Sequence, residues 1–274
     1  YAVFVAVVFA YPLGLAVWIS FHDYFFTAPA VSVPRPFVGL DNYRAVVADP
    51  AVRQALGNTV VFLLVNVPLT TVAALVLATA LNAALPARGF FRTAYYLPYV
   101  TASVAVVGVW LWLFTGGGLA DRVLGSLAPD PPWLVNSTLA MPLVAAYVAW
   151  KQLGFFVVVY LAALQGVPKE LYESAALDGA GRLRAWWSVT VPSVRPATAL
   201  VVTLSTIVGA NLFTEPYLLT AGGGPNGASA SPVLVIYQRR IQQGEPDFAA
   251  ALGVLLVLGV LLLAMAYRWI FERG

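Results

Sequence analysis

Cysteine is absent and histidine occurs once, at His22. Without thiols there is no disulfide framework and no thiolate metal site. A single imidazole argues against a histidine-built metal centre or a Ser–His triad; His22 ends the first apolar run and reads as an interfacial residue. Charge is scarce as well: Asp, Glu, Lys and Arg make up 10% of 274 residues, against about 25% in a soluble globular domain. That deficit places the chain in the membrane class. A nucleotide-binding phosphate loop is missing too. The run Gly222-Gly223-Gly224-Pro225-Asn226-Gly227 is not followed by Lys-Ser/Thr, so it reads as a flexible loop rather than a phosphate cradle. A basic start and a small-residue cleavage site are absent. Residues 1–21 therefore read as a transmembrane helix with its cytoplasmic lead-in upstream, rather than as a signal peptide.

What the chain does have is apolar length: 61% of it is hydrophobic. A helix crossing a bilayer core needs roughly 20 apolar residues. Six segments qualify, near 1–21, 57–84, 94–115, 138–165, 197–219 and 248–270. Pro12, Pro68, Pro98 and Pro142 fall in or at the ends of these spans, where kinks are tolerated if neighbours satisfy the freed carbonyls. The expected fold is all-α and polytopic: six transmembrane helices in a single domain over residues 1–274. Basic residues set the orientation. Arg88 and Arg92 lie in the short loop 85–93, Lys169, Arg182, Arg184 and Arg195 in loop 166–196, and Arg268 and Arg273 at the end. These regions share one side, which is therefore cytoplasmic. The opposite loops mix Arg with Asp and Glu. In the first of them, 22–56, Pro29, Pro34 and Pro36 prevent an early helix, and Asp41-Asn42-Tyr43-Arg44 reads as a helix start.

Polar residues inside spans are the candidates for function, because an ionisable group at mid-bilayer costs a few kcal/mol and usually faces a partner or a cavity. Lys151 and Gln152 sit near the middle of the fourth span. Glu215 lies toward the outer end of the fifth, near Asn211 and Thr214, and Asn66 sits in the second. For each, interhelical hydrogen bonding competes with lining a translocation path. Aromatic neighbours (Trp150, Phe155 and Tyr160 on the fourth span, Phe213 and Tyr217 on the fifth) suit the ring faces of a sugar. Trp110, Trp112 and Trp133 read as interfacial-belt residues, and Trp186 and Trp187 as surface anchors of the cytoplasmic loop.

The densest polar block is 169–192. Such a segment cannot sit in hydrocarbon. Pro168 suits a helix start, Glu170 and Glu173 complement the positive end of its dipole, and Gly179 and Gly181 are stop signals. Ser174, Ala175 and Ala176 are small enough for another backbone to approach. The segment resembles the "EAA" loop of binding-protein-dependent ABC importer permeases: Glu-Ala-Ala, three residues, Gly, nine residues, then Ile-x-Leu-Pro. Here the pattern falls on Glu173, Ser174, Ala175, Gly179, Val189, Val191 and Pro192. The departures are Ser174, Val189 and Val191, and the spacing is intact. Val38-Gly39-Leu40-Asp41-Asn42-Tyr43 and Leu219-Thr220-Ala221-Gly222-Gly223-Gly224-Pro225 resemble the "GL-x-NY" and "LT-x-GGP" stretches of the sugar-type subfamily.

The resemblance implies a permease subunit of the maltose or glycerol-3-phosphate type, in a bacterial inner membrane, working by alternating access. Its loop between spans four and five would be the coupling helix that docks on a cytoplasmic ATPase, through Glu173, Ser174, Ala175, Asp178, Gly179 and Pro192. Implied partners are a second, similar permease, two ATPase subunits carrying ATP and Mg²⁺, and an extracytoplasmic solute-binding protein. This chain itself would bind no cofactor or metal and would not be an enzyme. The path candidates are Asn66, Lys151, Gln152, Asn211, Phe213, Glu215 and Tyr217. Disaccharide, amino sugar, oligosaccharide and glycerophospho-compounds all fit as solutes. A channel or secondary transporter independent of ATP is the alternative, and it leaves the Glu173–Pro192 stretch without a purpose.

Overall fold

The computed structural model describes residues 2–27, 33–82 and 88–272. Pro29, Arg273 and the inner edge of the second expected span lie outside them. The described residues are helical almost throughout. The first span, α1, runs Ala2–Ser20. A surface helix α2 covers Asp41–Ala48, and α3 covers Pro50–Asn82. The start of α3 is set chemically. Pro50 has no N–H to lose at the first turn, and the Asp49 carboxylate accepts from the Ala51 and Val52 amides at 2.7 and 3.2 Å, which is an N-cap in all but name.

The third span differs from expectation. It is broken: α4 covers Arg88–Val100 and α5 covers Ser103–Phe114. Ala102 is extended between them, with φ −54° and ψ 129°. Pro98 withholds one helical N–H, and the Thr101 hydroxyl takes the Leu97 carbonyl at 2.7 Å, so the ladder is weakened from both sides of the break. A short helix α6 (Leu119–Leu124) follows outside, then α7 (Ala140–Gln165), unbroken. The cytoplasmic helix α8 spans Lys169–Leu177.

The fifth span is also reshaped. Helix α9 covers Arg182–Ser193 and α10 covers Arg195–Ala210, with a 68° bend between them. Gly181 is thus not a stop but the cap from which α9 starts. Pro192 has no N–H for the preceding turn, and the helix winds wide over Trp186–Thr190 before it, as a π-turn does when a proline interrupts the ladder. After α10 the chain breaks at residues 211–213 and resumes as α11, Thr214–Leu219. Helix α12 (Pro232–Tyr237) and the long α13 (Pro246–Glu272) complete the chain. Among the described residues, Ala2–Ser20, Pro50–Asn82, Ser103–Leu127, Ala140–Gln165 and Pro246–Ala266 are long and apolar enough to cross a membrane, with the bent α9–α10 pair a sixth if it is one span.

Helices α3 and α7 form the spine. On α3, Phe62, Asn66, Thr70, Ala74, Ala78 and Leu81 recur at helical spacing and are all buried. Two cores flank this seam. One gathers Phe62, Val107, Val144 and Tyr147; the other gathers Ala74, Ala78, Phe156, Tyr160 and Val201. A third joins Val46, Ala55, Val235 and Leu252 between α2, α3, α12 and α13. Outside it, Arg239 bonds Asp49 and reaches Glu245 at 2.9 Å. Its guanidinium also lies 4.6 Å over the Phe248 ring. That staple fastens the α2–α3 junction to the start of α13. Apolar side chains on the outward faces, such as Leu64, Val72, Leu261 and Leu262, are exposed, as a lipid-facing surface requires.

Gly154 marks the tightest crossing. A Cβ there would meet the Tyr95 carbonyl oxygen at 2.2 Å and the Tyr96 Cα at 2.6 Å, so α4 lies directly on α7. Backbone cannot yield as a side chain can. Gly154→Ala is expected to destabilise by about 1–3 kcal/mol or more, the usual overpacking range. Gly259→Ala, where nothing lies within 4 Å, should be neutral. Thermal midpoints of the two purified variants check this, and equal midpoints contradict the packing described.

Candidate functional site

Three regions hold the residues that sequence reasoning singled out. The first is cytoplasmic. Helix α8 ends in a complete αL cap: Gly179 takes φ +74°, its amide bonds the Ala176 carbonyl at 3.0 Å, and the Ala180 amide bonds the Ala175 carbonyl at 2.9 Å. Only glycine adopts that φ freely. Glu173, Ser174, Asp178 and Gly179 are exposed and Ala175 is half-buried. Leu171 and Leu177 are exposed as well, Leu177 at 90%, so the helix presents an apolar edge with nothing against it. It is nevertheless anchored. The Tyr172 hydroxyl lies 3.0 Å from Thr190 Oγ1, and Trp186 Nε1 donates to Thr79 Oγ1 at 3.0 Å. Trp186 is therefore a tie to α3 rather than a surface anchor, whereas Trp187 is exposed. Pro192 is exposed just before the bend.

The second region is at mid-span. Lys151 Nζ donates to Ser103 Oγ and lies 3.9 Å from Glu215 Oε1. Ser103 is the first residue of α5 and Glu215 falls in the first turn of α11. One side chain on the unbroken α7 therefore reaches the first turn after each of the two breaks. Tyr147, one turn away on the same face, points its hydroxyl at the Ser103 carbonyl at 3.5 Å. Phe155, one turn the other way, stacks on Tyr99 with centroids 5.2 Å apart. The Lys151 and Glu215 side chains keep 13% and 15% of their exposure, so the pair is shielded but not sealed.

The other candidates fall elsewhere. Asn66 is buried and its amide donates to the Ala145 carbonyl at 3.1 Å, which is helix pairing. Tyr160 likewise donates to Thr198 Oγ1 at 3.1 Å. Gln152 is half-buried beside Lys151. Asn211 is exposed, with its amide on the Ile207 carbonyl at 2.9 Å. Phe213 and Tyr217 stack at 5.4 Å, and Tyr237 completes an aromatic triad. Trp110 and Trp133 pack against the core rather than in a belt, and Trp133 Nε1 donates to Asp121 at 2.8 Å; Trp112 is exposed. Sequence reasoning missed Ser103, Tyr99 and Tyr237. The polar Thr101-Ala102-Ser103 step inside an apolar run was the available signal for the first.

The third region is the outer glycine loop, expected to be flexible. It is pinned instead. Gln54 Nε2 donates to the Asn226 carbonyl at 2.7 Å, and Asn58 Nδ2 to the Gly227 and Ala230 carbonyls at 2.8 and 2.9 Å. Thr220 and Ser229 hydroxyls lie 2.7 Å apart. Ser231 caps α12 through the Leu234 amide and donates to the Leu212 carbonyl, which the break in the fifth span leaves free. Hydrocarbon offers no such partner, so this loop stabilises the break.

The model of the family described as "Binding-protein-dependent transport system inner membrane component" matches residues 70–274. The arabinooligosaccharides transport system permease protein AraP of Halalkalibacterium halodurans is 32% identical, over 87% of this chain and 77% of that one. The sn-glycerol-3-phosphate transport system permease protein UgpA of Agrobacterium fabrum is 32% identical, over 86% of this chain and 82% of that one. A crystal structure of a bacterial ABC transporter involved in the import of alginate contains a chain that superimposes with a TM-score of 0.81 at 21% identity, covering 99% of this chain and 92% of that one.

Removing one member of a shielded ion pair leaves the other uncompensated, at about 3–5 kcal/mol when fully buried and less here. Lys151→Ala is therefore expected to lower the thermal midpoint. Lys151→Ala/Glu215→Ala should recover most of that loss. A double variant no more stable than the single one would show that the two side chains do not interact.

Proposed function

The chain belongs to the binding-protein-dependent transport system inner membrane component family, and on that premise we propose that it carries a carbohydrate or related polyol as one permease subunit of an ATP-driven importer. Two of its relatives are named for arabinooligosaccharides and sn-glycerol-3-phosphate, which supports that solute class. The observation that carries the coupling half of the reading is α8: an exposed helix with the Glu173-to-Pro192 spacing, tied to α9 through Tyr172 and Thr190, with α9 in turn tied to α3 through Trp186 and Thr79.

In this reading ATP and Mg²⁺ sit on two separate ATPase subunits, and this chain binds no nucleotide. Glu173, Ser174, Ala175, Asp178 and Gly179 meet the ATPase, and Leu171 and Leu177 supply apolar contact. Pro192 shapes the turn through which force passes. A second permease completes the pore, and a solute-binding protein delivers at the outer loops 22–56 and 218–247. Solute passes along α7 beside Lys151, Glu215, Tyr99 and Phe155, with Gln152, Asn211, Phe213 and Tyr217 as further contacts. A ligand or partner shifts such an equilibrium only by binding two states unequally, so the ATPase must grip α8 differently when open and closed.

Purification of the membrane complex with wild-type and Glu173→Lys/Gly179→Asp chains tests this directly. Wild type is expected to bring down an ATPase whose hydrolysis responds to solute and binding protein. The double variant should lose it or uncouple it. An ATPase retained and fully coupled in the double variant would refute the role of α8, and no ATPase with wild type would favour a stand-alone transporter.

A further inference from the structure

We infer that the solute is electrically neutral at the point where it passes mid-membrane: an uncharged oligosaccharide or polyol rather than a phosphorylated, sulfonated or uronic-acid sugar. The inference rests on the carbohydrate reading above and narrows it. The two relatives leave the question open, since an arabinooligosaccharide is neutral and sn-glycerol-3-phosphate is an anion.

Lys151 lies midway along α7, and Glu215 lies in the first turn of α11, just past the break that ends α10. They have opposite signs and face each other at 3.9 Å. Lys151 is further engaged by Ser103 Oγ. Its charge is thus answered twice before any solute arrives. An anion entering here would have to displace Glu215 from Lys151 or lie beside a carboxylate, and in a shielded site that repulsion is much stronger than in water. A neutral sugar meets neither obstacle. Its hydroxyls can bond Ser103, Lys151 and Glu215 without moving them, and a ring face can lie against Tyr99, which is 38% exposed and stacked on Phe155. Glu215 then acts as a specificity-determining residue: it keeps Lys151 from being an anion site.

The test is equilibrium binding to the purified importer complex, without binding protein, so that the selectivity of the binding protein does not enter. The probes are neutral gluco- and galacto-oligosaccharides of two and three rings, and the same compounds with their C6 hydroxymethyl groups oxidised to carboxylates. Wild type should prefer the neutral set, and Glu215→Gln should shift the preference toward the carboxylated set by roughly tenfold or more, the scale of a freed buried charge. Glu215→Asp, which keeps the counter-charge, should keep the neutral preference, as should Lys151→Gln/Glu215→Gln. These two guard against a Glu215→Gln protein that merely folds badly. Wild-type preference for the carboxylated set, or a Glu215→Gln complex with unchanged preference, overturns the inference and leaves the carbohydrate reading standing. Binding of neither set by wild type overturns both.

Discussion

A lysine ammonium in the middle of a bilayer has to be answered from within the protein, and the centre of this bundle is arranged around that requirement. Lys151 stands on the unbroken α7 and reaches Ser103 and Glu215, the first turns after the breaks in the third and fifth spans. Helix breaks and charges are each costly in hydrocarbon because neither has water to turn to. Here they are placed together, and the residues that follow the two breaks supply the oxygens that answer the lysine. The break at 211–213 is closed from outside by the same logic: Ser231 donates to the Leu212 carbonyl, and the loop that carries Ser231 is itself held by Asn58 on α3.

The cytoplasmic helix connects to this centre through continuous contacts. Tyr172 on α8 meets Thr190 on α9, and Trp186 on α9 meets Thr79 on α3. Helix α9 turns through 68° into α10, with Val194 buried at the bend. Helix α10 ends at the break that leads to Glu215. The chain thus links α8 to the Lys151–Glu215 pair through α9, α10 and the break at 211–213. On the other side of the pair, Gly154 lets α4 lie against α7, since any side chain there would force the Tyr95 backbone away.

Much of the architecture was legible in the sequence. Apolar runs near the spanning length located the spans, the basic loops oriented them, and Gly179 marked the end of α8 through the one backbone conformation that favours glycine. The breaks were not legible. Pro98 and Pro192 announce weakened ladders, but where a helix gives way depends on what the neighbours offer the freed groups, and Ser231 lies far along the chain from Leu212. Gly181 read as a stop because the glycine signal does not distinguish an end from a cap. The glycine loop read as flexible because its pins, Gln54 and Asn58, sit on another helix. Lys151 and Glu215 were each visible as unusual, and their pairing required the fold.

The absence of cysteine makes the central claim, that solute passes beside Lys151 and Glu215, open to one direct measurement. Tyr99→Cys places a single thiol on that surface, and Leu262→Cys places one on an outward apolar face. A water-soluble thiol reagent is applied to the assembled importer with and without a neutral oligosaccharide that it transports. Labelling of position 99 that the solute suppresses, with position 262 unlabelled, is the expected result. Labelling of position 99 that solute does not change, or none at all through the transport cycle, would place the path elsewhere.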